Sequence, residues 1–373
     1  MLYKINPDRN KPWNDLPLLP IDESLFTTID ILKLLGETKA ALGKLQGRSI
    51  TIPNQAMLIN TISLQEAKDS SAIENIFTTD DELYKAYSER NIDEAHGSSK
   101  EVLRYREALW TGYEYLSDKA GFDQNYFIKI FREIKQTGDG IRPSHVPIVI
   151  KQGGREINSG IVVFTPPRGK KIIESLLINL LEFMNDDDKY PIDPIIKMII
   201  GHYQFETIHP FRDGNGRTGR IFNIHYLTKK GLLDYPILYL SRYIINTKND
   251  YYFHLSNVSK TGNWKNWTIY MLNAIKTTAS LTYNKINEII ELKDSIIEVL
   301  DKSKDIKRPE KIVDMIFQQP FTKVKHLTEN GLFAENTARL YLNKLCEYGI
   351  LEKKTIQGHH YYLNIDLSRI LAE

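Results

Sequence analysis

The stretch His209 to Arg220, HPFRDGNGRTGR, decides the reading of this 373-residue chain. It falls between two helical hydrophobic patterns, so one helix ends by delivering His209 and the next starts at Asn215, which is bracketed by glycines. Gly214 and Gly216 permit unusual backbone angles and close approach. Several N–H groups can then point outward at a helix N-terminus, an arrangement that favours an anion. Arg217 and Arg220 stand three apart on one face of the new helix, where both can reach successive phosphates of a bound polyphosphate. Thr218 and Gly219 complete the same turn of that cradle. Asp213 supplies a hard oxygen ligand beside it, as nucleotide-bound Mg²⁺ requires. Within this stretch His209 is the side chain whose unperturbed pKa suits general-base work near neutral pH. A metal reading competes, because His202, Glu206 and His209 fall at i, i+4 and i+7 of one helix. That reading leaves the arginines and glycines without a task, and His202 and Glu206 are expected as polar groups on the helix surface.

Outward from this stretch the chain is mainly helical. Toward the N-terminus, helical spacing runs over 194–208, 172–185, 125–135, 99–119 and 80–92, with two or three helices between residues 21 and 75. Residues 1–20 carry Pro7, Pro12, Pro17 and Pro20, which predicts an extended segment over the surface. The period changes at 146–150 and 161–164, two β-branched runs separated by a polar stretch with three glycines, which predicts a hairpin with Pro147 on an edge strand. Toward the C-terminus, helices are expected at 215–230, 250–259 and 264–301, the last with a break. The charged stretch 302–308 reads as a linker. Residues 309–373 read as three helices and two strands, the winged helix-turn-helix order.

Composition excludes several function classes. Hydrophobic residues make up 42% and charged residues 26%, which rules out collagen-like and wholly disordered chains. The net charge of +2 gives no large basic field for nucleic acid. Cys346 is the single cysteine, so an intramolecular disulfide is excluded, and its place among Ala338, Leu342 and Leu345 suits a small buried hydrophobe in a reducing compartment. No run approaches the roughly 18 apolar residues of a membrane span. A cytoplasmic protein without membrane association is expected.

The stretch 209–220 resembles the Fic family motif, H-x-F-x-[D/E]-G-N-G-R-x-x-R, matching it at His209, Phe211, Asp213, Gly214, Asn215, Gly216, Arg217 and Arg220. The resemblance implies a Fic-type helical core with a hairpin flap and a C-terminal winged helix. It also implies transfer of AMP from ATP to a Tyr, Ser or Thr hydroxyl of a target protein, with release of pyrophosphate. A branch that phosphorylates instead has Lys where this chain has Gly216. By the resemblance His209 is the base, Asp213 holds Mg²⁺, Asn215 and the glycines cradle the phosphates, and Arg217 and Arg220 neutralise them, while Phe211 anchors the loop in the core. Tyr251 and Tyr252 fall where the family places groups near adenine, and the flap is where a target strand adds. These assignments divide the chain into an N-terminal helical region over 1–110, a core over 111–301 and a winged helix over 309–373.

A second motif lies upstream. The run SSAIEN from Ser70 to Asn75 matches the inhibitory pattern [S/T]-x-x-x-E-[G/N] of one class of the family. A glutamate delivered there, Glu74, could pair bidentately with Arg220 and fill the γ-phosphate space. Two other functions compete: a DNA-binding regulator whose Fic region senses nucleotide, and a hydrolase that removes AMP at the same site. From 301 to 373, twelve Lys and Arg stand against ten Asp and Glu, which disfavours DNA and points the winged helix toward protein or the core. The sequence leaves self-association into a homo-oligomer open. The acidic run 186–188 is expected as a solvated loop, and His359 and His360 beside the wing turn carry no metal signature.

Overall fold

The computed structural model describes residues 3–50, 55–89, 95–152, 161–329, 331–356 and 358–372. A 3₁₀ turn at Glu23–Leu25 precedes α1 (Ile29–Ile50), α2 (Gln55–Ile73), α3 (Asp80–Ser88), α4 (Gly97–Ser117) and α5 (Gln124–Lys135). A capping box starts α3, in which the Thr79 hydroxyl accepts from the Glu82 N–H (3.2 Å) and the Glu82 carboxylate from the Thr79 N–H (3.1 Å). The hairpin β1 (Ile150–Gln152) and β2 (Ile161–Phe164) is followed by α6 (Lys170–Asn185), α7 (Pro194–Ile208) and α8 (Asn215–Lys229). Then come α9 (Leu240–Asn246), α10 (Lys248–Thr261) and α11 (Trp264–Ser303).

Pro194 opens α7, where its missing N–H costs nothing, and Asp193 caps the helix through the Ile195 N–H (2.9 Å). Every residue of α7 from Ile195 to Ile208 is buried, as is most of α8, so this pair forms the centre of the core and the other helices pack around it. The pair carries the loop 209–214 at one end. Phe211 in that loop is buried and stacks on Phe131 of α5, with ring centroids 4.2 Å apart and planes within 3°.

The C-terminal region contains α12 (Pro309–Ile316), β3 (Phe321–Thr322), α13 (Val324–Thr328), α14 (Glu335–Glu347), β4 (Leu351–Ile356), β5 (His359–Asn364) and α15 (Ile365–Ala372). Its antiparallel sheet has the order β3-β5-β4, with Lys353 opposite Tyr362 in the β4–β5 wing. This is the mainly helical fold with a hairpin and a separate C-terminal domain that the sequence predicts.

Several expectations need correction. The first hairpin strand starts at Ile150, so Pro147 precedes it, and the turn 153–160 lies outside the described residues, as do residues 90–94 at the end of the predicted third helix. The Pro-rich N-terminal segment is anchored: Trp13, Leu16 and Leu19 are buried, with Trp13 edge-on to Phe164. The long helix α11 is unbroken, since its apolar positions from Trp264 to Leu300 stay on a buried face. The 302–308 stretch is less of a linker than its charge suggests, because α11 reaches Ser303 and Ile306 is buried. Asp187 is more than a solvated loop residue, for it holds the buried Lys197 (2.7 Å) and Lys230 (2.5 Å). Cys346, expected as a buried hydrophobe, is half-buried against the core, and His359 and His360 are exposed. Helices α9 and α15 and strand β3 are additions to the sequence reading.

Truncating the loop anchor tests this arrangement. Phe211→Ala should cost about 3–5 kcal/mol, the range for deleting a buried phenyl ring. It should appear as a lower denaturant midpoint at unchanged slope.

Candidate active site

His209 caps the C-terminus of α7 in a left-handed conformation (φ 50°), its N–H donating to Phe205 O (3.0 Å). A non-glycine residue holds such a conformation only where its surroundings fix it. Arg142, buried between the hairpin and this loop, provides the fixation: its Nε donates to His209 O (2.8 Å) and its backbone N–H to Pro210 O (2.9 Å). The buried Asn215 side chain closes the loop, accepting from the Phe211 N–H and donating to Phe211 O, both at 2.9 Å. Gly214 takes φ 75° at the start of α8, and the Thr218 hydroxyl donates to Gly214 O (2.9 Å).

A cavity of about 630 Å³ opens at this end of α7 and α8. His209, Gly216 and Arg220 line it, together with Glu74, the hairpin strands and Tyr251 and Tyr252 of α10. Burial pushes His209 down to about 4, so the imidazole is neutral at pH 7. Its Nδ1 faces the carbonyl oxygen of Glu206 at 3.3 Å. A carbonyl only accepts, so this partner assigns the proton to Nδ1 and the basic lone pair to Nε2.

Arg220 is buried and held from the N-terminal region. Its Nε donates to Ser70 Oγ (2.8 Å), and its Nη2 to Ser70 O (2.9 Å) and Glu74 Oε1 (2.7 Å). Glu74 therefore takes one N–H, and Ser70 shares the guanidinium, so the pair lacks the bidentate fork the sequence suggests. Glu74 also reaches the N-terminus of α8, where a Cβ on Gly216 would collide with its carboxylate. Asn75, just beyond, has φ 64°, a conformation that Asn and Gly adopt more readily than other residues.

The other expected residues are distributed around this centre. Arg217 is buried and pairs with Glu101 of α4 (3.3 Å). Asp213 is largely exposed, accepts the Gly214 N–H (2.6 Å) and pairs with Lys135 (2.7 Å). Burial opposes its ionisation, yet the Lys135 ammonium holds its carboxyl below the usual range. Tyr251 is buried with its hydroxyl 2.8 Å from His202 Nε2, while the Tyr252 side chain is partly exposed at the cavity. His202 and Glu206 correct the sequence reading, because both are buried, with His202 stacked on Trp267. Among the described residues no group of three or more His, Cys, Asp or Glu side chains could hold a metal ion, so the three-ligand alternative fails.

Behind the cavity lies a polar network that the sequence left unmarked. Glu66 of α2 accepts from the Ser241 N–H (2.9 Å) and hydroxyl (2.5 Å) and from Tyr105 (3.2 Å), while Asp69 accepts from Tyr239 (2.6 Å). With Arg142 these are the main residues that sequence reasoning missed. Their one available signal was the clustering of polar residues on the helix face that also carries Ser70.

Comparisons with known proteins fit this site. Residues 32–114 match the Fic/DOC family N-terminal domain, residues 122–227 the Fic/DOC family domain, and residues 292–367 the C-terminal domain of SoFic-like protein adenylyltransferases. The chain belongs to the Fic/DOC family. It is 33% identical over 97 residues, 26% of this chain, to protein adenylyltransferase fic-1 of Caenorhabditis elegans, and 37% identical over 81 residues, 22% of this chain, to a probable protein adenylyltransferase of Aquifex aeolicus. These matches span only 18% and 24% of the relatives' lengths. In structure it resembles a Fic family protein from Desulfovibrio desulfuricans (TM-score 0.54, 20% identity, 93% of this chain and 98% of that one). It also resembles Fic-1 from C. elegans (TM-score 0.53, 17% identity, 69% of this chain and 74% of that one). No helix among the described residues is long and apolar enough to cross a membrane.

The network makes a testable demand on stability. Burial pushes the Glu66 carboxyl up to about 7, partly offset by its Ser241 hydrogen bonds and the Arg220 charge. A folded-state value above the unfolded one means that the contribution is fully present at low pH and is lost as pH rises from the ordinary carboxyl range through about 7. The loss is about 3 kcal/mol. Glu66→Gln should remove that part of the slope when unfolding free energies on either side of this window are compared.

Proposed function

We propose that this protein is an autoinhibited adenylyltransferase that moves AMP from ATP to a Tyr, Ser or Thr hydroxyl on a target protein or on itself. The observation that carries the reading is the Glu74–Arg220 pair at the mouth of the α8 N-terminus, beside a neutral, positioned His209. His209 Nε2 takes the hydroxyl proton as the oxygen attacks the α-phosphorus. The bond from that phosphorus to the oxygen bridging to the β-phosphate breaks, and pyrophosphate leaves. The α8 N-terminus with Gly214 and Gly216 receives phosphate oxygens, and Arg220 stabilises the charge on the leaving group. Arg217 and Asn215 act from behind, joining the loop to α4 and holding its shape. Tyr251 and Tyr252 border the nucleoside end of the cavity.

Asp213 suits Mg²⁺ in the way Mg²⁺ prefers, as a single exposed carboxylate that leaves the remaining positions to water and phosphate oxygens. When bound, the ion would supply charge neutralisation for the phosphates. Chelation by EDTA should therefore suppress transfer. A target segment would add as a strand to the two-stranded hairpin.

Glu74 acts as a brake by taking an Arg220 donor and the space at Gly216, so ATP must bind with its terminal phosphates displaced. In this reading the N-terminal region over 1–110 holds the brake, 111–301 is the catalytic core, and 309–373 is a winged helix that serves protein contact. Arg339 and Lys344 of α14 are paired with Glu335 and Asp305, which supports protein contact over DNA. The single cysteine supports a reducing, cytoplasmic setting.

Labelled-ATP assays test the proposal. Glu74→Gly should raise incorporation of the α-phosphate label into protein about tenfold, the scale of one charge-assisted hydrogen bond. His209→Ala in that background should lower it about 10²–10⁴-fold. Equal incorporation by Glu74→Gly and the parent would sink the brake, and incorporation that survives His209→Ala would remove the histidine from its role.

A further inference from the structure

We propose that Glu206 is a further nucleotide-binding residue, acting as a neutral carboxylic acid whose O–H donates to an oxygen of the bound nucleotide. This inference rests on the ATP-site reading above. Glu206 lies on α7 one turn before His209 and lines the same cavity. Its side chain is more than nine-tenths buried, and Oε1 has no hydrogen-bond partner. A buried carboxyl without a partner costs free energy in the folded protein. The neighbouring buried acids Glu66 and Asp69 each have their partners within the fold. Room for Glu206 is made by Gly219, where a Cβ would collide with Oε1.

The charges around Glu206 decide its protonation. Arg220 faces it from α8, Glu74 from beyond α2, and Tyr251 and Tyr252 from α10. His209 follows on its own helix, and Lys248 stands near Arg220 and Glu74. Arg220 is the one guanidinium in this group and already serves Glu74, so a second carboxylate would leave an excess of negative charge where phosphates must enter. Burial, opposed by Arg220 and reinforced by Glu74, raises the Glu206 carboxyl to about 8. Phosphates that replace Glu74 keep the negative neighbour in place. Both tyrosines are pushed above their ordinary range by burial, and His209 is pushed below its own, so none of the three changes charge between neutral pH and about pH 9.

Calorimetric titration of metal-free ATP into the full chain tests the idea. In the parent, Kd should weaken about tenfold between about pH 7 and about pH 9, as the neutral fraction that binds falls by that factor. Glu206→Gln, which keeps a donor and cannot ionise, should bind at about pH 7 as the parent does and show no such weakening. The same pH slope in both proteins, or weaker binding by Glu206→Gln at neutral pH, would overturn the proposal. If the variant does not fold, a flat Kd in the parent across that range overturns it alone. Absence of ATP binding to either protein at any pH would overturn the nucleotide-site reading and this inference with it. Tight binding with an unchanged slope would overturn only the role of Glu206.

Discussion

A guanidinium that is almost entirely removed from water must be given partners, and Arg220 is the residue around which this molecule is arranged. Its partners come from 146 to 150 positions earlier in the chain, so the interaction binds the N-terminal helices to the core as well as neutralising a charge. Removing the guanidinium would leave Glu74 without its countercharge and strand the Ser70 hydroxyl and carbonyl, whereas removing Glu74, which is partly exposed, leaves Arg220 its two Ser70 bonds. The same donors suit phosphate oxygens. A ligand bearing such oxygens can therefore compete for Arg220, and the competition is balanced by the whole packing of α2 against the core.

That packing is itself polar. Glu66, Asp69 and Ser70 lie along one face of α2, and each meets a donor from α4, α8 or the segment around α9. Buried networks of this kind specify position more sharply than apolar contacts, because a shift of one turn would strand several groups at once. On the other side of the cavity, Arg142 and the Asn215 amide hold His209 and its loop with backbone-directed hydrogen bonds. The His209 end of the cavity is therefore held by hydrogen bonds on both sides, and the exposed face of α10 with Tyr252 is its less enclosed border.

Much of this was legible in the sequence. The loop from His209 to Arg220 announced its two helices, because glycines and a polar run cannot continue a helical hydrophobic stripe. Ser70 and Glu74 could be matched to Arg220 by a short pattern. The burial of His202 and Glu206 could not be read, since an all-round buried helix shows no amphipathic period that would mark one face as wet. Arg142 and Ser241 were equally hidden, as their roles depend on contacts with distant backbone groups. The bidentate geometry of that pair was expected from the usual fit of a carboxylate to a guanidinium. The structure instead gives Ser70 two of the hydrogen bonds, because its hydroxyl and carbonyl at the end of α2 also lie within hydrogen-bond reach of the guanidinium.

The C-terminal domain adds a consequence of another kind. Ser88 O bonds to His326 Nε2 (2.9 Å), the Glu89 carboxylate takes both Lys323 and Tyr361, and Lys285 of α11 donates to Ile370 O at the chain's far end (2.6 Å). The first and last parts of the chain thus close on each other, with α11, about 60 Å long at 1.5 Å per residue, as the strut between them. A ring closed in this way has few places to open without exposing Lys323 or Lys285 unpaired. Opening one sequence region therefore strands polar partners in another, so the boundaries in the primary structure are crossed by contacts that tie the regions together.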